Sequence, residues 1–425
     1  MSTLTGMQTV QQGDRLHIAV FGRRNAGKSS VINAITGQDL AIVSDVKGTT
    51  TDPVSKAMEI LPLGPCMLID TPGLDDEGEL GARRVEKALQ VMNRTDLALI
   101  VMDITQISQE DLDSKRGIGV REMEILTQIE EKKIPYLLVL NQSDRIPDVQ
   151  AEKIRTQMVR KNPNIPVLVI STVRKTGLEE LKDALIAQAP DTDSELHIIS
   201  DLMTVGDIVV LVVPVDSAAP KGRLIMPQQQ TIRDILDHQG IAVVTQVTEL
   251  SDTLERLSGQ VRMVVTDSQA FREVDAIVPK GIPLTSFSIL FARHKGNLRK
   301  LVSGVTAVDR LQDHDRILIA EGCTHRRQCE DIGTVKIPKW LREHSGRELQ
   351  IETCSGMDFP ADLSGYAMVI HCGGCTLHEK EMKHRIYRAE EQGVPIVNYG
   401  IFIAYVSGIL KRSVELFPAV SDLLD

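Results

Sequence analysis

The chain has 425 residues and a formal net charge of −10, and 42% of its residues are apolar. Its length predicts roughly two to four domains, and its acidic charge argues against a large nucleic-acid surface, which needs concentrated Lys and Arg. Aromatic residues make up only 3% of the chain, so an aromatic platform for stacking nucleic-acid bases is not expected.

The N-terminal segment and the cysteines bear on the cellular compartment. Residues 1–16 lack the apolar core of a signal peptide, and no apolar run reaches the length of a membrane span. We therefore expect a cytoplasmic protein that contacts no membrane. Six cysteines in such a protein are expected to be free, catalytic or metal-bound, and five of them lie after residue 320.

Short apolar runs alternate with helical stretches over residues 1–190. The predicted strands are 16–21, 66–70, 97–103, 136–140 and 167–170. This βαβ rhythm predicts an α/β fold, with a mostly parallel sheet and helices on both of its faces. The polar, turn-rich stretch 189–197 predicts a linker.

Two smaller α/β domains are predicted after this linker, over 191–288 and 289–425. The first contains predicted strands at 208–213, 241–247 and 261–267 and a predicted helix at 231–240. The second contains a predicted helix at 295–305 and strands at 315–322, 366–375 and 394–400. The first has neither a cysteine nor a phosphate-binding loop, so it is predicted to be an assembly surface or a spacer.

A phosphate-binding loop follows the first predicted strand. Gly22 to Ser29 read GRRNAGKS, which matches the P-loop pattern GxxxxGK(S/T) before a helix. Gly22 and Gly27 let backbone N–H groups approach the phosphates, and Lys28 is expected to reach the β- and γ-phosphates. The Ser29 hydroxyl is expected to bind Mg²⁺, and Ser30 is placed with it at the nucleotide.

Four further motifs follow in the order of a GTPase. Asp70 ends a predicted strand and can hold the Mg²⁺ shell, and the Gly73 N–H can meet the γ-phosphate. Thr50, within GTTTD at 48–52, is the expected Mg²⁺ ligand in the GTP state. Ser171 and Thr172 fit the last loop that contacts the guanine.

The guanine-reading motif is NQSD at 141–144, which resembles the NKxD motif of translation-factor-like GTPases. Asp144 would accept hydrogen bonds from guanine N1–H and the 2-amino group, which adenine lacks, so the pattern favours GTP over ATP. Asn141 begins the motif. Gln142 stands where the family has a Lys that packs on the base and braces the loop, so nucleotide affinity is expected to be reduced.

Asn25 in the P-loop, together with GTTTD, resembles the Era and TrmE-like GTPases. In those families such an Asn helps to bind a K⁺ ion that replaces an arginine finger. Leu74, not a glutamine, follows the DTPG motif, so another group must orient the attacking water. The resemblance therefore implies slow, K⁺-stimulated hydrolysis, and the alternative is that Asn25 only stabilises the loop.

A cysteine–histidine constellation lies near the C-terminus. Cys323 and His325 follow one predicted strand, and His371, Cys372 and Cys375 follow another. The CxxC spacing lets two thiolates point to one centre, and soft thiolates suit Zn²⁺ or an iron–sulfur cluster. Three thiolates with one variable position are typical of a [4Fe–4S] cluster with an exchangeable iron.

The fourth position of this centre is not decided by the pattern. His325 or His371 could fill it or could lie behind the ligands, and Glu321 is a weaker candidate. A structural Cys₃His zinc site, a Cys372/Cys375 dithiol pair and unrelated buried cysteines remain as alternatives.

The combination of a P-loop GTPase with CxH, a gap of about 45 residues and HCxxC resembles the [FeFe]-hydrogenase maturation GTPases (HydF) along the whole chain. The resemblance implies a middle dimerisation domain, a homodimer, and a [4Fe–4S] cluster on Cys323, Cys372 and Cys375. It also implies a scaffold that receives a transient diiron precursor made with two radical-SAM maturases and delivers it to the apo-hydrogenase. GTP hydrolysis to GDP would then regulate partner exchange.

Two other functions compete with this one. The first is a regulatory GTPase of RNA modification or ribosome assembly with a structural zinc site, against which the acidic charge and the few aromatic residues argue. The second is a redox-sensing GTPase that uses Cys372 and Cys375 as a dithiol.

Overall fold

The structure of the chain is a computed structural model that describes residues 15–37, 53–73, 87–190, 197–214, 224–322, 331–356 and 358–424. Three predicted site residues, Thr50, Cys323 and His325, lie outside these ranges. The chain divides into two compact units between residues 194 and 195. Within the described ranges, no helix has both the length and the apolar composition required to cross a bilayer.

The first unit is built on a six-stranded sheet. Its strands are β1 (Leu16–Phe21), β2 (Val54–Ile60), β3 (Gly64–Asp70), β4 (Leu97–Asp103), β5 (Tyr136–Asn141) and β6 (Val167–Val169). Its helices are α1 (Lys28–Thr36), α2 (Gln109–Asp113), α3 (Val120–Glu131), α4 (Asp148–Lys161) and α5 (Leu178–Gln188). The strand order is β2-β3-β1-β4-β5-β6, and all neighbours are parallel except β2 and β3.

The central strands are continuous apolar runs because both faces of the sheet are covered. In β1, Ala19 and Phe21 pack into one core with α3 and α4, whereas Ile18 and Val20 pack into the opposite core with α1 and α5. The predicted α/β fold with helices on both faces is therefore confirmed. β2 was not predicted, since its residues alternate between half-buried and exposed, as expected of an edge strand.

The second unit contains two four-stranded parallel sheets. The first has the order β10-β9-β7-β8, from β7 (Ile208–Val212), β8 (Ile241–Thr245), β9 (Val261–Thr266) and β10 (Leu284–Ser286). The second has the order β12-β11-β13-β14, from β11 (Arg316–Glu321), β12 (Gln350–Ser355), β13 (Met368–His371) and β14 (Ile396–Asn398).

The helices of this unit, in chain order, are α6 (Met226–Asp237), α7 (Leu250–Arg256), α8 (Phe271–Ile277), α9 (Phe287–Lys295), α10 (Leu298–Val305), α11 (Ile337–Ser345), α12 (Glu379–Glu391), α13 (Tyr399–Val406), α14 (Leu410–Ser413) and α15 (Pro418–Ser421). A π-helical turn, Ile332–Lys336, precedes α11.

Helix α9 joins the two sheets of the second unit. Ser286, at the end of β10, caps this helix through its side chain, which accepts from the Ile289 N–H. The Asn398 side chain, at the end of β14, donates to the Ser288 carbonyl (2.9 Å). One apolar core accordingly includes residues of both sheets. The predicted boundary between residues 288 and 289 falls inside α9, and the division into two domains here stays a prediction.

The predicted helix at 295–305 is confirmed over Leu298–Val305, but its predicted start is three residues too early. One helix ends at Lys295, and the next begins at Leu298 after Asn297, whose side chain accepts a hydrogen bond from the Lys300 N–H. Asn is a favoured N-cap residue because its side-chain oxygen satisfies a backbone N–H in the first turn. The break therefore has a local cause that helical periodicity alone does not reveal.

Gly304 in α10 allows this helix to approach β14 closely. A Cβ atom at this position would lie 2.2 Å from the Ile396 carbonyl oxygen. Gly304→Ala is expected to lower the free energy of unfolding of the second unit by about 2 kcal/mol or more, because backbone must move. Denaturant unfolding followed by fluorescence of Trp340, the only tryptophan, measures this change.

Gly281→Ala is the matched control, since a Cβ atom there meets nothing within 4 Å. Equal stabilities of the two variants would contradict the close packing of α10 on β14.

Candidate nucleotide site and cysteine centre

The P-loop depends on two glycines at positions where a side chain has no room. Gly22, directly after β1, has φ +148°, and a Cβ atom there would lie 2.1 Å from the Val101 carbonyl oxygen. Gly27, with φ +90°, precedes α1, and its Cβ would lie 2.2 Å from Asn141 Nδ2. The loop thus leads to the N-terminus of α1, where unpaired backbone N–H groups form an anion site.

Lys28 and Asn25 lie within this loop. The buried Lys28 ammonium donates to the carbonyl oxygens of Gly22 (3.0 Å) and Arg23 (2.9 Å). Asn25 is exposed and has φ +62°, a left-handed conformation that Asn adopts more readily than most residues. Its backbone conformation alone therefore gives a reason for Asn at this position, and both interpretations of Asn25 remain open.

Asp70 and Ser29 form the expected magnesium-binding pair. β1 and β3 are parallel, with Val20 beside Asp70, and the Ser29 hydroxyl donates to the Asp70 carboxylate. Burial raises the pKa of Asp70, against the lowering effect of the Ser29 hydrogen bond and the Lys28 charge. Among the described residues, the buried Asp70 Oδ1 has no hydrogen-bond partner. A hydroxyl beside an unsatisfied carboxylate oxygen fits Mg²⁺, which prefers hard oxygen ligands.

Asn141 and Gln142 brace the P-loop from the end of β5. The buried Asn141 amide donates to the Ala26 carbonyl (3.1 Å), and Gln142 Nε2 donates to the Asn25 carbonyl (2.9 Å). Gln142 thus retains a bracing contact despite its departure from the NKxD pattern. Its effect on nucleotide affinity stays a prediction.

Asp144 and Ser171 are paired at the same edge of the sheet. The Ser171 hydroxyl donates to Asp144 Oδ1 (2.5 Å), and this bond lowers the pKa of Asp144. The buried Ser171 is itself held by reciprocal backbone hydrogen bonds with Thr176. The carboxylate is thereby kept ionised and oriented, as acceptance of two guanine N–H groups requires. Thr172 is half-buried beside it.

Two other predicted positions have simpler surroundings. Ser30 is exposed in the first turn of α1, and Gly73 follows Asp70 within the described residues. A residue that was not predicted also contacts the loop: Glu122, near the start of α3, pairs with Arg23 (2.7 Å). The Glu122 side chain is only 6% exposed, so this ion pair fixes the loop from the other side. No motif marks Glu122 in the sequence.

The cysteine centre lies at the carboxyl ends of β11 and β13. These strands are parallel, with Ala320 beside His371, so the residues that follow them meet at one edge. Cys372 Sγ accepts hydrogen bonds from the backbone N–H of Gly322 (3.0 Å) and of Gly374 (3.4 Å). Gly322 immediately precedes Cys323 in the sequence, and it is the last described residue before that cysteine. The described chain that leads to Cys323 therefore contacts the CxxC loop.

His371 is completely buried behind Cys372. Its Nδ1–H donates to the Cys372 carbonyl (2.7 Å), and its Nε2 accepts from Arg385 Nη1 (3.0 Å). Burial, and next the Arg385 charge, lower the pKa of His371 to about 3, so the ring is neutral. Both ring nitrogens are engaged, which disagrees with His371 as a fourth ligand and favours its alternative role behind the ligands.

Arg385 organises this interior. It is 1% exposed and donates to Glu381 Oε1 (2.8 Å) and to the Gly356 carbonyl (2.6 Å), in addition to His371. Its guanidinium also stacks on the Phe359 ring, 4.9 Å from the centroid. A buried charge with this many partners fixes the local structure, because the loss of any partner leaves it unsatisfied.

Lys295, at the end of α9, holds the CxxC loop. Lys295 is 2% exposed, and its ammonium donates to the carbonyl oxygens of Cys375 (3.0 Å) and Leu377 (3.3 Å). The loop is therefore anchored by a helix that begins at the other sheet of the unit. This role was not predicted, because 80 residues separate Lys295 from Cys375.

Tyr399 and Glu321 lie together near the centre. A Cβ atom on Gly333 would be 2.4 Å from the Tyr399 hydroxyl and 2.6 Å from Glu321 Oε1. Burial raises the pKa of Tyr399, so its phenol stays protonated. Within the part of the chain that the structure describes, its hydroxyl has no hydrogen-bond partner. Tyr399 was not predicted from any motif.

The donor set at this centre fits a thiolate-bound metal group. Cys372 and Cys375 are half-buried and free of disulfides, and backbone N–H groups directed at a sulfur stabilise a metal-bound thiolate. Cys66 and Cys354 differ, since burial raises the pKa of each thiol to about 11. These two are packed, protonated thiols.

Family models match three parts of the chain. Residues 198–296 match the hydrogen maturase F dimerization domain, and residues 299–416 match the hydrogen maturase F tetramerization domain. Residues 17–142 match a GTPase model described as 50S ribosome-binding. The chain belongs to the hydrogen maturase F family. The two family domains that follow the GTPase domain are both self-association domains.

Individual relatives match the GTPase part of this hydrogen maturase F. GTPase Der of Kosmotoga olearia is 30% identical over 191 residues, which are 43% of this chain and 41% of that protein. The tRNA modification GTPase MnmE of Clostridioides difficile is 30% identical over 171 residues, 40% of this chain and 34% of that protein. The chain thus spans well under half of the length of these curated relatives.

Solved structures also match part of the chain. The structure of Era from Aquifex aeolicus is 20% identical and covers 58% of this chain and 98% of that chain, with a TM-score of 0.36.

The contacts of Lys295 predict a specific effect on the CxxC loop. Lys295→Met removes two charge-assisted hydrogen bonds, each worth about 1.5–3 kcal/mol, so the loop should open at least about tenfold more often. The measurement is the rate of Cys375 alkylation, followed by mass spectrometry of the peptide.

Lys336→Met is the control, because Lys336 donates to Gln269 Oε1 (2.7 Å) rather than to the loop. Equal alkylation rates in the two variants would contradict the anchoring role of Lys295.

Proposed function

We propose that this hydrogen maturase F is a GTP-hydrolysing scaffold of [FeFe]-hydrogenase maturation. It holds a [4Fe–4S] cluster, accepts a diiron precursor made with two radical-SAM maturases, and delivers it to the apo-hydrogenase. The observation that carries the proposal is the Gly322 N–H···Cys372 Sγ hydrogen bond (3.0 Å). This bond brings the chain that leads into Cys323 to the CxxC loop. The family to which the chain belongs makes a role in hydrogenase maturation the expected function.

The GTPase half of the proposal uses the groups around the P-loop. The N–H groups at the start of α1 and the Lys28 ammonium bind the β- and γ-phosphates. Ser29, Asp70 and Thr50 would hold Mg²⁺, and this ion would supply positive charge beside the phosphates. The Gly73 N–H meets the γ-phosphate.

Guanine is selected by the ionised carboxylate of Asp144. The hydrogen bond from Ser171 aims this carboxylate, and Thr172 completes the loop beside the base. Adenine offers neither of the donors that Asp144 needs, so ATP leaves a carboxylate unsatisfied. Hydrolysis is slow and K⁺-stimulated, with Asn25 contributing to the K⁺ site.

The cluster half assigns Cys323, Cys372 and Cys375 as iron ligands. When bound, a three-cysteine [4Fe–4S] cluster supplies an iron with an exchangeable position, where an incoming group can attach. His371 does not occupy this exchangeable position, because both of its ring nitrogens are engaged in hydrogen bonds within the protein. His325 remains a candidate for the fourth ligand.

Regulation and assembly complete the proposal. The two self-association domains support a homodimer that assembles further into a tetramer. GTP hydrolysis times the exchange of partners, while the metal chemistry stays with the cysteine centre. The proposal places the protein in the cytoplasm and gives it no nucleic-acid partner.

Single substitutions at the two centres test whether they act as proposed. Lys28→Ala should abolish GTP hydrolysis, because it removes the charge that contacts the phosphates, and should leave iron content unchanged. Cys375→Ser should lower the iron bound after anaerobic reconstitution and leave the basal GTPase rate intact. Phosphate release and iron analysis on the same preparations are the measurements.

Circular dichroism of both variants controls for folding. The proposal requires that the two centres act separately. A folded variant that loses both GTP hydrolysis and iron binding would contradict it.

A further inference from the structure

A second group of metal-binding side chains lies away from the cysteine centre, at the start of the second unit. Helix α6 carries Asp234, and His238 follows four residues later at the end of this helix. His197, the first described residue of the unit, comes from a distant part of the chain and lies beside them. One potential ligand atom from each of these three residues lies within 4.8 Å of the other two.

The three side chains have defined mutual geometry. His238 Nδ1 is 3.5 Å from Asp234 Oδ1, and the two imidazole rings meet edge to face with their centroids 5.4 Å apart. The Asp234 side chain is 14% exposed and the His238 side chain is 46% exposed. The group is therefore accessible to an ion from solvent while its carboxylate is largely enclosed.

Asp234 is held in place before any ion arrives. Its Oδ2 accepts backbone hydrogen bonds from Ile198 (3.1 Å), Ile199 (2.8 Å) and Ser200 (2.9 Å). Among the described residues, its Oδ1 accepts one hydrogen bond, from the Ser200 hydroxyl (3.0 Å). A carboxylate oxygen has two lone pairs, so Oδ1 retains one for a cation.

The imidazoles are oriented by hydrogen bonds of their own. His238 Nδ1 lies 2.9 Å from the Asp234 carbonyl oxygen, and His197 Nδ1 lies 2.7 Å from Ser200 Oγ. Such a bond to one nitrogen fixes the ring and its tautomer and allows coordination through the other nitrogen. The arrangement thus contains the supporting contacts that are typical around metal-bound histidines.

We propose that His197, Asp234 and His238 bind one divalent transition-metal ion of borderline softness, with Zn²⁺ as the reference ion. Two imidazoles and one carboxylate suit Zn²⁺, with bond lengths of about 2.0–2.2 Å and a fourth position for water. The ligand atoms lie within 4.8 Å of one another, and an ion bound at these bond lengths would draw them closer together.

Such an ion would cross-link the first residues of the second unit to α6. His197 immediately follows the polar stretch 191–196, which connects to the GTPase domain in the sequence. The ion would therefore restrain the backbone at the point where the chain enters the self-association domains. This inference does not rest on the proposed function and involves none of the cysteines.

The test is Zn²⁺ titration of untagged, full-length protein that carries Cys372→Ser and Cys375→Ser, so that the thiolates do not compete. One Zn²⁺ per chain is expected. His197→Ala and His238→Ala in this background should each weaken Zn²⁺ binding by about 100-fold or more, since each removes a ligand. Isothermal titration calorimetry with a competing chelator gives the affinities.

His344→Ala is the matched control. His344 Nε2 also contacts a carboxylate, Asp309 Oδ1 at 3.0 Å, but no second histidine joins this pair among the described residues. Its Zn²⁺ affinity should equal that of the parent. Affinities that are equal in all three histidine variants, or a parent that binds no Zn²⁺, would overturn the proposal.

A second measurement avoids dependence on the cysteine variants. Co²⁺ bound to native protein shows a sulfur-to-metal charge-transfer band when thiolates coordinate it, and no such band when imidazole and carboxylate do. The proposal expects a Co²⁺ equivalent without this band that disappears in His238→Ala. If this Co²⁺ equivalent still binds in His238→Ala, His238 is not a ligand and the proposal fails.

Discussion

The meeting of parallel strands at their carboxyl ends is the constraint on which both candidate sites depend. Side chains and loops that follow adjacent parallel strands come together at one edge of the sheet. In the first unit this edge gathers the P-loop, Asp70 and Asn141, from strands that are far apart in sequence. In the second unit, the pairing of β11 with β13 places Gly322 against Cys372. The central strands of each sheet are buried on both faces, so the apolar cores fix the register that places the polar groups.

Charged side chains that are buried, or that pair with a buried charge, hold the loops that follow these strands. Arg23 with Glu122 holds the P-loop, and Arg385 and Lys295 hold the residues on both sides of the CxxC loop. Ionised groups in a protein interior are tolerated only with partners, so each pair ties its loop to one conformation. Lys295 adds a consequence for assembly. It reaches the CxxC loop from α9, within the part of the chain that matches the family's dimerization domain.

Structural features that depend on residues close together in the chain could be predicted from the sequence. Continuous apolar runs predicted β1 and β4 with their observed bounds, and motif spacing predicted the P-loop and its helix. The sequence pattern missed β2, whose edge position gives an alternating pattern. It also began α10 three residues too early, because the start of this helix depends on the Asn297 cap. Lys295 and Arg385 were also missed, since their partners are distant in sequence. The tautomer of His371, decided by two hydrogen bonds, needed the structure.

The central claim is that three cysteines bind an iron–sulfur cluster in a protein that also hydrolyses GTP. Iron analysis and Mössbauer spectroscopy of protein reconstituted anaerobically with iron and sulfide test it most directly. The account predicts about four irons per chain in a single cluster, lost when the cysteine ligands are replaced. Protein that retains no iron would contradict it, whether X-ray absorption shows zinc with sulfur ligands or Cys372 and Cys375 form a reversible disulfide.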